Sequence, residues 1–457
     1  MDEGTMILKK LTLKNYRAFE EFEIEFHDKL TVIVGVNGAG KTTVLDAAAA
    51  ALSAYLAGFD GLGLYKITPD DARVKCMKLG DMVSTQPQYP VEIDAAASVY
   101  YPNTENGMNT LIEEIFTDKP VVWKRFRKNA ALNAKQNTTG IAPMRKVGTF
   151  YQTLMRIGNN IGAQFVPAPI LVYYSTRRFW GNGDPEDMLK ANISRQDAYK
   201  ECLDAHLNLS ALKTWFERMT YKELQAGKRS KTFGAVRKAM AEVFEDISGS
   251  TDVDVWMNLD TREIEISFKD TDGAWNSLTL NQLSDGYKGT ICLIADIAYR
   301  MAVLNPQLEE NVLKNTGGIV LIDEVDLHLH PAWQQRILSD LMNIFPKVQF
   351  IVSTHAPSVI SCVKTENLRI LRNNQIEPIV TQVYGDDVNS LLQRVMEVPA
   401  RNPKTAKLFD DFYRYLKDGQ FSDAENTLNQ IELQRDYHDT ELAGCRTKLK
   451  LERIRRG

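Results

Sequence analysis

The sequence predicts an α/β fold with helical additions, and three observations predict it. Four runs, LTVIVG at 30–35, PILVYYSTRR at 169–178, GGIVLIDE at 317–324 and QFIVSTH at 349–355, carry the unbroken apolar stretches of strands buried on both faces. The first run enters a glycine loop that opens directly onto an alanine-rich helix, VLDAAAAALSAYLAG at 44–58. After about Gly385 the strand patterns stop, and only short amphipathic helices follow.

The elements follow in order. MILKKLTLKNYRAFEEFEIEF (6–26) alternates, with Leu11 and Leu13 on one face and Phe22, Ile24 and Phe26 on one face, which predicts an antiparallel pair. LTVIVG and the alanine-rich helix flank the glycine loop. Residues from about 103 to 168 read as polar and irregular, with a basic run KRFRK at 124–128. From about 186 to 246 the pattern is helical, with Leu203, Leu207, Leu212, Trp215, Phe216 and Met219 at three- and four-residue spacings and Ser210 as an N-cap. VDVWMNL and REIEISF bring short strands back within 252–280, and a helix begins near Ser284. In the tail, Ser422-x-x-Glu425 reads as a capping box. These shifts predict an N-terminal lobe at 1–180, a helical insertion at 181–250, a second lobe at 251–385 and a helical region at 386–457. The tail helices are too few to hold a core of their own, so they are expected to dock a partner.

Composition narrows the class. The chain has 457 residues, 44% hydrophobic and 25% charged, with a formal net charge of −4. Those values fit a folded globular protein and exclude wholesale disorder and a strongly basic nucleic-acid coat. Five scattered cysteines never form a CxxC pair, which argues for reduced core thiols over a zinc or disulfide framework. No stretch reaches the ~20 apolar residues of a bilayer span, and MDEGTMILKK has no basic-then-apolar leader pattern, so a cytoplasmic protein with no membrane partner is expected.

GVNGAGKT at 35–42 fits GxxxxGK[ST]. Gly35, Gly38 and Gly40, with Asn37 and Ala39 between them, let backbone N–H groups curl around phosphates, and the helix opening at Lys41, Thr42 and Thr43 adds positive potential. Lys41 reaches the β- and γ-phosphates, and the Thr42 hydroxyl serves Mg²⁺. IVLIDE at 319–324 ends a buried strand in two carboxylates at the sheet edge where ligands of open α/β folds bind. Asp323 is expected in the Mg²⁺ shell, and Glu324 is expected to polarise the attacking water. His355 falls 31 positions after Glu324, at the end of the next apolar strand, within expected reach of a γ-phosphate. LSDGYKG at 283–289 opens a helix with a hydroxyl, Ser284, and a backbone N–H, Gly286, a second anion-binding helix start.

Together these motifs resemble the ATP-binding-cassette family: Walker A, an LSGGQ-like signature, Walker B with its following Glu, and a switch His. The N-terminal strands before the P-loop, the more than 200 residues between P-loop and signature, and EVDLHLHP at 324–331 are similar to the RecF/SMC-like branch. The resemblance covers roughly residues 6–60 and 270–375. It implies an ABC-type P-loop ATPase head with a helical insertion and a C-terminal helical appendix. It also implies ATP and Mg²⁺ as cofactors, and a head-to-tail dimer or higher homo-oligomer in which Ser284 and Gly286 act in trans and Asp326 lies near the seam. YYSTRR, the WF-containing helix, LSDGYKG, EVDLHLHP, STHAP and the tail from YGDDVNSLLQ look like the PtuA group of Septu-type antiphage systems, with relatives in some retrons. That group implies a separate HNH nuclease partner, PtuB. A RecF-like DNA repair clamp that binds DNA itself is the alternative.

The sequence departs from the family pattern at Asp285 and Tyr287 of the signature, which implies slow hydrolysis with ATP acting mainly as a switch. Gln86 and Gln88 stand as Q-loop candidates by position. KRFRK, GKRSK at 227–231 and the basic terminus, six basic residues to one acidic in RTKLKLERIRRG, are possible phosphate contacts but read first as solvated faces. His328 and His330 alternate with Leu but lack a third ligand, so no metal pair is expected. The tail is too short and too helical for an added nuclease domain, so this chain is not expected to cut nucleic acid alone.

Overall fold

The structure, a computed structural model, describes residues 6–79, 82–100, 119–131, 140–161, 166–176, 194–204, 207, 209–378, 384–385, 391, 402–433 and 440–456. The chain divides into two compact units, Met1–Gly385 and Asp386–Gly457.

The first unit opens with β1 (Met6–Tyr16) and β2 (Phe19–Glu25) as the alternation predicts: Leu11 stands opposite Ile24 and Leu13 opposite Phe22. Next come β3 (Leu30–Val34), α1 (Lys41–Leu56), a hairpin of β4 (Val74–Leu79) and β5 (Met82–Pro87), then β6 (Val91–Val99) and β7 (Val121–Arg127). Helix α2 (Ala142–Ile161), strand β8 (Ile170–Tyr174) and helices α3 (Leu209–Ala226) and α4 (Lys231–Ser248) follow. After them stand β9 (Thr251–Asn258), β10 (Glu263–Lys269), β11 (Trp275–Thr279) and α5 (Asp285–Leu304). The unit ends with β12 (Gly318–Ile322), α6 (Ile337–Ile344), β13 (Val348–Thr354), β14 (Leu368–Arg372) and β15 (Gln375–Glu377).

A six-stranded sheet in the order β15-β14-β3-β13-β12-β8 carries the four apolar runs, and every pair in it except β14–β15 is parallel. Strands β3, β8, β12 and β13 are buried at every residue, as strands covered on both faces must be. A four-stranded antiparallel sheet, β2-β1-β6-β7, and a three-stranded one, β11-β10-β9, complete the unit with the β4–β5 hairpin. Helix α1 is buried on nearly all sides, which its run of alanines permits. Among the described residues no helix is long and apolar enough to cross a membrane.

Several expectations need correction. The region read as polar and irregular contains β7 and α2 wherever it is described. KRFRK is no solvated face: Arg125 and Arg127 point inward with Trp123 and are 3% and 5% exposed. Arg125 Nη1 donates to the carbonyl of Ala50 at 2.6 Å and to Ser53 Oγ at 2.8 Å, while Arg127 Nη1 donates to Ile67 O at 3.0 Å. Burial pushes the Arg125 guanidinium down to about 10. Ser210 lies inside the first turn of α3, which already begins at Leu209.

The second unit has the core that the sequence reading denied it. Helices α7 (Pro403–Asp418), α8 (Phe421–Glu432) and α9 (Thr440–Arg456) share Phe409, Phe412, Leu416, Leu428, Ile431, Leu442 and Leu449 in one buried cluster. Three short amphipathic faces suffice because each covers the other two. The first helix is capped by Asn402, whose side chain accepts from Thr405 N at 2.9 Å, and ends at Gly419 in the left-handed conformation. The Ser422–Glu425 capping box does not form, because α8 starts at Phe421 with Gln420 as its N-cap, two positions earlier than the motif requires.

Candidate functional site

The parallel register sets the site. Thr354 pairs with Val34, Ile322 with Val352, and Ile322 with Tyr174. The residues that follow β3, β12, β13 and β8 therefore leave the sheet along one carboxyl edge, where open α/β sheets bind ligands. Strand β13 runs between β3 and β12, so the segment ending in Ser353, Thr354 and His355 separates the glycine loop from Asp323.

The loop from Gly35 to Gly40 turns through left-handed backbone at Gly38 (φ 84°) and Gly40 (φ 102°). Gly40 is tightly constrained, because a Cβ there would stand 2.7 Å from the Phe19 ring. Asn37 and Gly38 are exposed, Ala39 and Thr43 half-buried, and Gly40 is the N-cap of α1 with no side chain closing the helix start. The first-turn N–H groups of such a helix have no intrahelical acceptor and point toward an anion. Lys41 is buried and curls back over the loop, donating to Gly35 O at 2.7 Å and Val36 O at 3.3 Å. Burial lowers its pKa, opposed by the carboxylates of Asp323, Glu324 and Asp326.

The acidic side is pinned. Thr42 Oγ1 donates to Asp323 Oδ2 at 2.7 Å, and Ser353 Oγ donates to Asp323 Oδ1 at 2.5 Å. The backbone N–H of Asp323 donates to Tyr174 O at 2.8 Å, tying it to β8, and Tyr174 Oη in turn donates to Asp296 of α5 at 2.7 Å. Glu324 adopts φ 47°, a region side-chain-bearing residues rarely visit, with its N–H on Ser353 Oγ at 2.8 Å. His355 Nδ1 lies 3.9 Å from Glu324 Oε1 and 3.8 Å from Asp326 Oδ2. Asp326 is 5% exposed and accepts from Thr354 Oγ1 at 2.5 Å.

The fold thus brings Lys41, Thr42, Asp323, Glu324, Asp326 and His355 to one place. Ser284 and Gly286 stand at the start of α5. Ser284 is the exposed N-cap of that helix, and no hydrogen bond from its side chain closes the cap. Gly286 packs on the segment after β12: a Cβ there would meet His328 O at 2.8 Å and the Trp333 ring at 3.3 Å. Tyr287, the departure from the signature pattern, stacks edge-on against Trp333 with centroids 4.6 Å apart. Its ring packs α5 against the one-turn helix Pro331–Gln334 that begins at the last residue of EVDLHLHP. His330 caps the one-turn helix Pro331–Gln334 by accepting from Ala332 N at 3.3 Å.

Sequence reasoning did not single out Ser353 and Thr354. Their signal was two hydroxyls at the end of a wholly buried strand, where each must find a partner. It also proposed Gln86 and Gln88 by position; Gln86 lies on the exposed β4–β5 hairpin, and the Gln88 side-chain amide donates to Gln86 O at 3.0 Å. The carboxyl edge beside Asp323 is instead continued from β8 by Ser175 and Thr176. Residues 177–193, with the rest of YYSTRR, lie outside the described residues.

The oxygen donors of Thr42 and Asp323 form a hard pair suited to Mg²⁺, and the loop with Lys41 suits a polyphosphate. A family model described as an AAA domain matches residues 10–248, more than half of the chain. A second, described as "AAA domain, putative AbiEii toxin, Type IV TA system", matches residues 191–361. The chain is 27% identical to the retron Ec83 probable ATPase of Escherichia coli, over 90% of this chain and 80% of that protein. It is 36% identical to the Septu protein PtuA of Bacillus mycoides over 40% of this chain, a match that spans 24% of that protein. Among solved structures, the SMC head bound to the C-winged helix domain of ScpA aligns at 17% identity with a TM-score of 0.44, over 82% of this chain and 98% of that one. The chain belongs to the AAA-domain family and is similar to the retron Ec83 probable ATPase and to the Septu protein PtuA.

Proposed function

We propose that this chain is the ATP-hydrolysing subunit of a cytoplasmic antiphage complex and controls a separate HNH nuclease through nucleotide-dependent assembly. The observation that carries the reading is the Thr42–Asp323 hydrogen bond, which joins the glycine loop to the acidic strand beside Glu324 and His355. Lys41, released from Gly35 O and Val36 O, takes the β- and γ-phosphates. Thr42 and Asp323 would hold Mg²⁺, which would supply charge neutralisation to the phosphates when bound. Glu324 orients a water and accepts its proton as the water oxygen bonds to the γ-phosphorus and the bond to the bridging oxygen breaks, giving ADP and phosphate. His355, beside Glu324 and Asp326, faces the same phosphoryl group.

The signature completes the site from a second copy. Ser284 carries an exposed hydroxyl at the N-terminus of α5, where no side-chain hydrogen bond closes the cap. In a head-to-tail dimer Ser284 and Gly286 close over nucleotide held by the partner, and Asp326 lies near that seam. Slow hydrolysis suits such a switch, and cutting of nucleic acid falls to the nuclease subunit, docked on the 386–457 unit.

The test is to purify the chain with the product of its neighbouring gene, with and without ATP, alongside Glu324→Gln and Lys41→Ala. A small HNH protein in the complex, ATP retained but not hydrolysed by Glu324→Gln, and no nucleotide bound by Lys41→Ala support the reading. Unchanged turnover in Glu324→Gln overturns the catalytic part. A protein that recovers no partner and binds duplex DNA on addition of ATP, with a steep salt dependence, is a RecF-like clamp instead.

A further inference from the structure

Ser353 precedes His355 in STHAP, at the edge between the glycine loop and Asp323, and no role attaches to it in the sequence reading. It is fully buried on β13, the strand interposed between the glycine-loop strand and the acidic strand. A hydroxyl in that environment is tolerated only if its hydrogen-bonding capacity is used. Both functions are used on consecutive residues of the acidic strand: Oγ donates to Asp323 Oδ1 at 2.5 Å and accepts from the backbone N–H of Glu324 at 2.8 Å.

Those two bonds do different things. The first fixes one oxygen of Asp323 while Thr42 holds the other, so the carboxylate cannot rotate about its Cβ–Cγ bond. The second anchors the peptide at which the chain turns left-handed, since Glu324 has φ 47°. A backbone in that region relaxes unless the surroundings hold it, and the direction of the Glu324 side chain depends on it. The neighbouring bond from Ser353 O, which accepts from Val325 N at 3.0 Å, holds the following peptide to the same residue.

We propose that Ser353 is a positioning residue for hydrolysis: through one hydroxyl it sets the orientation of Asp323 toward the metal and aims Glu324 at the attacking water. The proposal rests on the assignment of Asp323 and Glu324 made above. Groups that orient metal-site and catalytic side chains typically contribute 10- to 100-fold to activity or metal affinity.

The experiment compares Ser353→Ala with wild type, Glu324→Gln and Val352→Ala, a buried neighbour on the same strand with no polar role. The readouts are single-turnover hydrolysis, ATP affinity, the Mg²⁺ concentration at half-maximal rate, and the melting temperature. Ser353→Ala is expected to lose about 10- to 100-fold in rate and to need about tenfold more Mg²⁺. Its ATP affinity stays within about threefold of wild type, because the glycine loop and Lys41 are untouched. Ser353→Cys leaves no cavity but bonds weakly, so the same pattern is expected and serves if the alanine variant does not fold. Wild-type rate and Mg²⁺ dependence in Ser353→Ala overturn the proposal. So does a uniform loss of rate, affinity and melting temperature like that of Val352→Ala. Equal rates for Glu324→Gln and wild type overturn the underlying assignment, a failure distinct from a silent Ser353→Ala beside a dead Glu324→Gln.

Discussion

The hydroxyl of Thr42 and the carboxylate of Asp323 meet at 2.7 Å although 281 positions separate them in the chain. The bond spans the end of β13, so it forms only when three parallel strands are in register. It ties the two motifs into one hydrogen-bonded unit, and groups that act as a unit give non-additive losses.

That unit is open to a double-mutant cycle. Thr42→Ala and Asp323→Asn are each expected to lower the Mg²⁺-dependent rate by about two orders of magnitude or more, as loss of a charge-stabilising group does. The double variant should be little worse than the more damaged single one, with an interaction energy of about 0.5–3 kcal/mol. Strictly additive losses in kcat/KM would show that the residues act separately.

Gly286 invites a second measurement. An added Cβ would fall 2.8 Å from the carbonyl oxygen of His328, a backbone atom that cannot swing away, and 3.3 Å from Trp333. Gly286→Ala is therefore expected to push the start of α5 off the EVDLHLHP segment at a cost of about 1–3 kcal/mol, the usual range for overpacking. Thermal melting reads that cost. ATP affinity of the dilute protein should hold, since the glycine loop lies elsewhere in the chain, while turnover falls at concentrations that favour assembly. A variant with wild-type melting and turnover would remove Gly286 from both roles.

Lys41 makes nucleotide binding sensitive to alkaline pH. Burial lowers its pKa below the ordinary 10.5, because the ammonium is the form that desolvation penalises. Polyphosphate stabilises the ammonium, so the pKa in the bound state is higher than in the free protein. Between those two values binding takes up a proton, and affinity falls as pH rises through that window. Calorimetry in buffers of different ionisation enthalpy should detect proton uptake at alkaline pH in the wild type and none at Lys41→Arg. Proton release, or identical behaviour of the two proteins, would contradict this.

What the sequence revealed of this arrangement follows from the range of each interaction. The glycine loop is local chemistry, and its strand–loop–helix context is contiguous, so it was legible. The alignment of Asp323 and His355 at one edge was legible from buried strands ending in polar residues. That β13 lies between β3 and β12 was not, since strand order is set by non-local pairing, and the role of Ser353 depends on that order. KRFRK misled for a different reason. In VVWKRFR the inward positions are Trp123, Arg125 and Arg127, while Val122 is 61% exposed. Hydrophobicity assigned the faces backwards because the arginines bond the α1 carbonyl of Ala50, Ser53 Oγ and Ile67 O. The tail was misjudged because its helices were weighed singly, whereas its stability lies in a core that all three share.

That shared core makes the 386–457 unit testable on its own. It packs two fully buried large side chains, Phe412 and Ile431, against Phe409, Leu428 and Leu449, with a capped first helix and a glycine stop. The fragment is expected to be helical by circular dichroism and to unfold in one cooperative urea transition. A domain of this size rarely holds more than about 3–5 kcal/mol, and Phe→Ala in a core removes about as much. Phe412→Ala should therefore unfold the isolated fragment. In the full chain it should leave single-turnover ATP hydrolysis unchanged, because Lys41, Thr42, Asp323, Glu324 and His355 all belong to the other unit, while recovery of the proposed nuclease subunit is lost. A non-cooperative fragment would argue against an autonomous unit. Intact recovery of the nuclease subunit with Phe412→Ala would move its docking surface to the ATPase unit.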